Sequence, residues 1–191
     1  MEPGPTPRYV EWVRRVHEFD LPERFVAGTV GEPGQRTFFL QARDGRRTVS
    51  VALEKQQVAL LADKLEELLD EARRRGGEIP PASSGSLDDL APLDAPIDEE
   101  FRVATLGLAW LPEDAVVVIE ARAADEREAA LEDEVPDDDP EGPDVIRVRL
   151  TPGMARAFAR RASRVVAAGR PPCPHCGLPL DPEDHFCPRM N

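Results

Sequence analysis

The sequence is poor in the residues from which most catalytic sites are built. Among 191 residues there are three histidines and three cysteines, and the cysteines all lie between positions 173 and 187. There is no phosphate-binding glycine loop and no nucleophile elbow. His17 is the only histidine outside the cysteine-rich end, and a lone histidine more often packs than acts as a base. We therefore expect a protein that is not an enzyme. With 37 acidic residues, no carboxylate pair is informative in itself. A hydrolytic site in the groove between two predicted repeats, described below, remains a third alternative.

Long apolar runs are also lacking. The first residues, MEPGPTPRYVEW, contain no apolar signal segment, and no run approaches the roughly 20 residues that span a bilayer. Cysteines gathered within fifteen positions are typical of metal ligation, which suits a reducing compartment. These features predict a soluble, cytoplasmic protein that does not bind membranes.

Positive charge is scarce except near the C-terminus. The net charge is −13, yet residues 145–191 contain eight arginines and three acids, a net of +5, which leaves −18 for the rest. An acidic chain repels phosphate at long range, so general nucleic-acid binding is disfavoured. The hydrophobic content of 41% is enough for a packed core.

A strand that runs directly into a helix occurs twice, over Thr48–Ala72 and Ile146–Gly169. In both copies the apolar spacing changes from period two to helical at the same point. With an offset of 97, Val49, Val51 and Leu53 correspond to Ile146, Val148 and Leu150. Two earlier strands also match, and this alignment pairs Phe25 with Phe101. The pattern predicts a duplicated βββα unit.

The predicted fold class is α+β, with antiparallel strands covered by two helices that are related by a pseudo-twofold. One sheet and a partly closed barrel are both compatible with the pattern. The predicted parts are an N-terminal segment 1–20, a first repeat 21–77, a linker 78–100, a second repeat 101–169 with an acidic loop 123–144, and a zinc-binding tail 170–191.

Two of these parts carry specific expectations. In Tyr9–Phe19 the valines have a spacing that favours a short amphipathic helix, with an edge strand as the alternative. Residues 78–100 are rich in Pro, Ser and Asp without a period, which is typical of a linker.

The tail contains the pattern of a zinc site. Cys173 and Cys176 are separated by two residues and followed by glycine, a zinc-knuckle turn in which both sulfurs reach one ion. His185 and Cys187 would supply the second pair of ligands. Four protein ligands leave no position for substrate, so a Zn²⁺ held there is structural. His175 is the rival nitrogen ligand, but it lies inside the knuckle, where its side chain should point away. The alternative is a reduced, metal-free tail.

A basic stripe on the second helix is formed by Arg156, Arg160 and Arg164. It could be a surface for phosphate or nucleic acid. The alternative, which we favour, is that it faces acids of the first helix (Asp63, Glu66, Glu67 and Asp70). The acidic run Asp137–Asp139 is interpreted as a solvated loop and not as a cation site.

Four stretches carry a family resemblance: DLPERFVAGTVGEPGQRTFFLQA (20–42), VALEKQQ (51–57), IDEEFRVATLGLAW (97–110) and CPHCGLPLDPEDHFCPRMN (173–191). They closely resemble an uncharacterised bacterial family, domain-of-unknown-function family 3090. The resemblance covers nearly the whole chain and implies a zinc-ribbon-like tail on Cys173, Cys176, His185 and Cys187. It implies no activity.

Two functions from different classes remain. The first is a non-enzymatic interaction or regulatory module with a structural zinc site and a protein partner. The second is a nucleic-acid-associated factor that uses the basic second helix and the tail.

Overall fold

The computed structural model describes residues 14–32, 34–81, 88–124 and 142–169, and the single positions 173, 175, 176, 187 and 189. Within them the chain forms an α+β fold. Its elements are β1 Val16–Asp20, β2 Arg24–Val30, β3 Thr37–Asp44, β4 Arg47–Leu53, α1 Lys55–Arg74, β5 Glu99–Leu111, β6 Val116–Ala123, β7 Val145–Leu150 and α2 Pro152–Ala167. Neither described helix has the length and apolar character needed to cross a membrane.

The seven strands form one mixed sheet in the order β1-β7-β6-β5-β4-β3-β2. Pairing is antiparallel within β2–β3–β4 and within β5–β6–β7. It is parallel between β4 and β5 and between β1 and β7. The prediction of purely antiparallel strands was therefore wrong at these two joins. A parallel pair needs a long crossover connection, and α1 with the segment after it supplies one between β4 and β5.

The N-terminal helix prediction was wrong for the described part of that segment. Val16–Asp20 is an edge strand, paired with β7 from Val16 opposite Val145 to Asp20 opposite Arg149. Phe19 is buried in the core. Five residues gain more from completing a sheet than from an isolated helical turn, whose nucleation is unfavourable. Residues 9–13 lie outside the described part of the chain.

The core lies between one face of the sheet and the two helices. Leu61 of α1 and Phe158 of α2, the positions that the predicted repeat equates, are each 2% exposed. Phe158 stacks on Phe25 with ring centroids 4.7 Å apart. The start of α2 is capped by the Thr151 hydroxyl, which accepts a hydrogen bond from the Met154 N–H.

Arg47 shows that the sheet is strongly curled. It lies at the start of β4, and in the sheet order three strands, β7, β6 and β5, separate β4 from β1. Nevertheless, Arg47 Nη1 donates to the Glu18 carbonyl at 3.0 Å, and its guanidinium lies 4.5 Å from the centre of the Phe19 ring. The start of β4 therefore approaches β1, the strand at one end of the sheet.

Residues 88–98, which we call the strap, pack across the outer face of β2–β4. Gln41 binds the strap backbone through both amide atoms: Nε2 donates to the Asp94 carbonyl at 3.0 Å, and Oε1 accepts from the Asp94 N–H at 2.8 Å. Gly28 allows the close approach, because a Cβ there would lie 2.6 Å from Leu93 Cγ. This part of the predicted linker is thus bound to the sheet.

Candidate metal centre

Cys173, Cys176 and Cys187 meet at one point although eleven positions separate the second from the third. Their sulfur atoms all lie within 4.8 Å of one another. Cys173 and Cys187 are buried and Cys176 is partly exposed. The sequence-predicted cysteine ligands are thus brought together, and His185 lies outside the described residues.

The sulfur separation distinguishes a metal site from a disulfide. Cys173 Sγ and Cys187 Sγ are 3.9 Å apart, and none of the three cysteines forms a disulfide. A disulfide needs about 2.05 Å between sulfurs. Two thiolates at about 2.3 Å from a tetrahedral Zn²⁺ would be about 3.8 Å apart. The cluster therefore has the spacing of a thiolate metal site.

Backbone N–H groups favour the ligand form of Cys173. Hydrogen bonds from the backbone of Cys176 and then of His175 lower the pKa of the Cys173 thiol to about 6. The thiolate is the form that binds metal, so this sulfur is prepared for an ion near neutral pH. The turn of the knuckle provides these N–H groups.

His175 is exposed and does not belong to the group of candidate ligands in the described residues. Its carbonyl accepts a hydrogen bond from Arg189 Nη1 at 3.1 Å. Arg189 follows Cys187, so this contact ties the two halves of the tail together. His175 contributes backbone to the site, in agreement with the expectation that its ring points away.

The three arginines of the basic stripe all lie against acids. Arg156 is 1% exposed and binds Glu66 and Asp70 of α1. Arg160 and Arg164 both bind Asp88 of the strap, at 2.6 and 3.1 Å. The acids of the first helix thus pair with Arg156 alone, and Asp88 of the strap pairs with Arg160 and Arg164.

Sequence reasoning missed the neighbouring Arg161, together with Arg24. Arg161 Nε donates to the Ala27 carbonyl at 2.7 Å, and its Nη2 donates to Ala91 of the strap at 2.7 Å. Arg24 Nε donates to Asp89 at 2.6 Å. A polar residue within an otherwise apolar strand, such as Arg24, was the available signal.

A cavity of about 350 Å³ lies between the strap and α2. Its lining combines apolar strap residues such as Leu90 and Leu93 with Asp89, Arg161 and Arg164. Arg161 binds both the carbonyl and the carboxylate of Asp89, and Arg164 binds the neighbouring Asp88. The acidic run Asp137–Asp139 lies outside the described residues.

Comparison with known proteins gives a family without an assigned role. The sequence model of the family described as "Protein of unknown function (DUF3090)" matches residues 17–187. No curated protein and no solved structure matches the chain.

Proposed function

Since the chain belongs to this family of proteins of unknown function, we propose a function from its candidate site. The protein is a non-enzymatic interaction or regulatory module, in which a structural zinc ion organises the C-terminal tail for docking to a protein partner. The observation that carries the proposal is the convergence of three cysteine sulfurs within 4.8 Å.

The ligand set fits Zn²⁺. Thiolates select soft or borderline metal ions, and three cysteines with one histidine make a common structural zinc set. Cys173, Cys176 and Cys187 would hold the ion, and His185 is the proposed fourth ligand. The tail is short and rich in proline, so metal binding would supply much of its folding free energy. Three reduced cysteines also suit the cytoplasm.

An interaction role is supported by the way the charged groups are used. The cavity beside the strap is lined by ion-paired and apolar groups, and these hold the strap in place. A closed metal site likewise leaves no position for substrate. We therefore place the function on the surface of the tail and not in a catalytic pocket.

The nucleic-acid alternative is less well supported. A phosphate-binding stripe needs guanidinium groups that face solvent, whereas Arg156 is buried. Arg160 and Arg164 are paired with Asp88. The favoured interpretation of the stripe is charge balance within the protein.

The body that carries the tail is, in our proposal, a duplicated βββα unit. The order of elements from β2 to α1 recurs from β5 to α2. Gln41 lies opposite Ser50, and Glu120 lies opposite Arg147, as the alignment of the repeats requires. The strand pairing differs from the alignment in one respect. Phe25 lies opposite Ala42, and Leu106 lies opposite the equivalent Ala121, so the register equates Phe25 with Leu106 and not with Phe101.

Elemental analysis tests the metal assignment. The full chain, dialysed after purification, should retain about one zinc per chain, the stoichiometry of a closed four-ligand site. Cys176→Ser and His185→Ala should each lose zinc. His175→Ala is the matched control and should keep it. Metal-free wild type, or zinc loss in the control alone, would refute the assignment.

Capture from a native lysate tests the interaction role. The zinc-loaded chain should retain a specific protein that Cys176→Ser fails to retain. A partner that binds both forms equally would show that the tail is not the docking element. A substrate turned over by both forms would refute the non-enzymatic proposal.

A further inference from the structure

Strand β5 is long, and only its first part has a neighbour on both sides. β4 pairs with it at Glu99 and Arg102 and then ends. On the other side, β6 pairs with β5 as far as Leu111. The edge of β5 from Thr105 to Leu111, which we call the open edge, therefore has no strand beside it in the described part of the chain.

In the described part of the chain, each of the two outermost strands has one edge carbonyl that accepts a hydrogen bond from an arginine. Arg47 donates to the Glu18 carbonyl at the β1 edge, and Arg161 donates to the Ala27 carbonyl at the β2 edge. On β5, Gln57 Nε2 donates to the carbonyls of Val103 and Ala104, at 3.2 and 3.3 Å. Among the described residues, no comparable contact follows Ala104, so the open edge keeps backbone groups available for pairing.

The open edge also lacks the residues that normally prevent edge pairing. Natural edge strands carry charges or prolines that oppose a second strand. Here the stretch from Ala104 to Leu111 contains no charged residue and no proline, in a chain that is 32% charged. Thr105, Gly107 and Ala109 are exposed on its outer face. Leu106, Leu108 and Trp110 are partly buried on the core side.

We propose that the open edge pairs with the same edge of a second copy of this chain. The two β5 strands would run antiparallel about a twofold axis at Leu108. Each would donate its free N–H groups to the carbonyls of the other, as in strand addition. In this register Leu106 lies opposite the second copy's Trp110, which continues the apolar face across the join.

Charge at the ends of the open edge selects a second copy as the occupant. Arg102 precedes the edge and Asp114 follows it. Each side chain is 54% exposed, although Arg102 also binds Glu54 at 3.0 Å and Asp114 also binds Arg149 at 2.7 Å within the chain. Twofold pairing about Leu108 brings Arg102 of each chain to the end where the other chain has Asp114. The edge is thus complementary to itself, as an interface with twofold symmetry must be.

Sedimentation equilibrium of the full chain tests the proposal. Wild type should be a dimer at micromolar concentration. Ala109→Lys should weaken the dimer by about tenfold or more, because a charge on a strand edge opposes pairing. Val30→Lys is the matched control: Val30 is also exposed at a strand end, on the β2 edge, and this variant should remain dimeric. Melting curves of each variant establish that the fold is intact.

A charge exchange tests the register. Arg102→Asp and Asp114→Arg should each weaken the dimer, and the double variant should restore it, because the opposite charges then meet again. Monomeric wild type, a dimer unaffected by Ala109→Lys, equal weakening by Val30→Lys, or no restoration in the double variant would overturn the proposal.

Discussion

Arg156 is the largest fully buried side chain among the described residues, although it carries a charge. Its partners are less buried, with Glu66 32% and Asp70 55% exposed. Nε of Arg156 is buried without a hydrogen bond within the described part of the chain. The desolvation cost of this ion pair therefore arises mainly from burial of the arginine. Mutation of the arginine and mutation of a carboxylate partner should have different effects on stability.

Arg156→Met should cost about 1 kcal/mol or less, because an apolar stem of similar shape replaces a buried charge and water can solvate the released carboxylates. Glu66→Ala should cost about 2 kcal/mol, because it removes a charged hydrogen bond and leaves the guanidinium buried. Urea unfolding monitored by circular dichroism measures both. A larger loss for Arg156→Met than for Glu66→Ala would contradict this assignment of cost.

At the residue scale, local spacing in the sequence predicted the cysteine ligands. It could not predict contacts between residues that are far apart in the chain. The two-residue gap between Cys173 and Cys176 was enough to predict that their sulfurs lie close together, as they do. By contrast, the contact of Arg161 with the Ala27 carbonyl joins residues 134 positions apart. It exists only because α2 lies against the β2 edge, which no helical or strand period encodes.

At the scale of elements, the strap is the clearest departure from the sequence pattern. Its composition is that of a linker, yet buried Gln41 and Arg24 bind its backbone. In the proposed repeat, the place equivalent to Gln41 and Ser50 carries the ion pair of Glu120 with Arg147, both partly exposed. A neutral amide suits a covered face, because its hydrogen bonds replace water without burying a charge.

Gln41→Ala should lower the free energy of unfolding by about 2 kcal/mol, since it removes two hydrogen bonds from the partly buried N–H and carbonyl of Asp94. Hydrogen exchange at the Asp94 N–H should accelerate at the same time. Ser50→Ala removes only the hydroxyl that accepts from Gln41 Nε2 and should cost about 1 kcal/mol. Unchanged exchange in Gln41→Ala would show that the strap is held elsewhere.

Apolar periodicity in the sequence predicted both described helices and six of the seven described strands, because their apolar faces are regular over many residues. It failed at Val16–Asp20, where pairing with β7 decides the conformation. Apolar periodicity also did not predict the order of the strands in the sheet. A strand buries the same face whether its neighbour is parallel or antiparallel, so the pattern does not distinguish the two. The parallel join of β4 with β5 depends on where α1 and the strap lead the chain.

At the scale of the whole molecule, a net charge of −13 coexists with a dense set of arginine–carboxylate pairs. Hydrogen bonds from arginine hold the pKa of three aspartates below the ordinary value. Arg156 acts on Asp70, Arg160 with Arg164 on Asp88, and Arg24 on Asp89. Protonation of these groups therefore opposes folding.

Stability should consequently fall in acid. Because these pKa values are lowered on folding, their contribution is fully present above the unfolded value of about 3.9 and is lost as pH falls through the folded values. The melting temperature should be nearly constant between about pH 5 and 8 and decline below about pH 4. Asp89→Asn should show a shallower decline. If the melting temperature of Asp89→Asn declines in acid as that of the wild type does, Asp89 does not contribute to the pH dependence of stability.

The basic stripe offers the last test, because charge balance and phosphate binding predict opposite results for Arg160 and Arg164. If both arginines serve to hold Asp88, the double reversal to Glu should lower the melting temperature, since three carboxylates would then repel one another. Adding Asp88→Lys should recover part of the loss by restoring opposite charges.

If the two arginines instead bind phosphate, the wild type should retain a DNA duplex with affinity that falls steeply as salt rises, because each contact releases counterions. The double reversal would then abolish retention and leave the melting temperature unchanged. We expect the first result, because the chain must overcome its own negative field to approach a polyanion. Fluorescence anisotropy with a labelled duplex at physiological salt, read beside calorimetry of the same variants, decides between them.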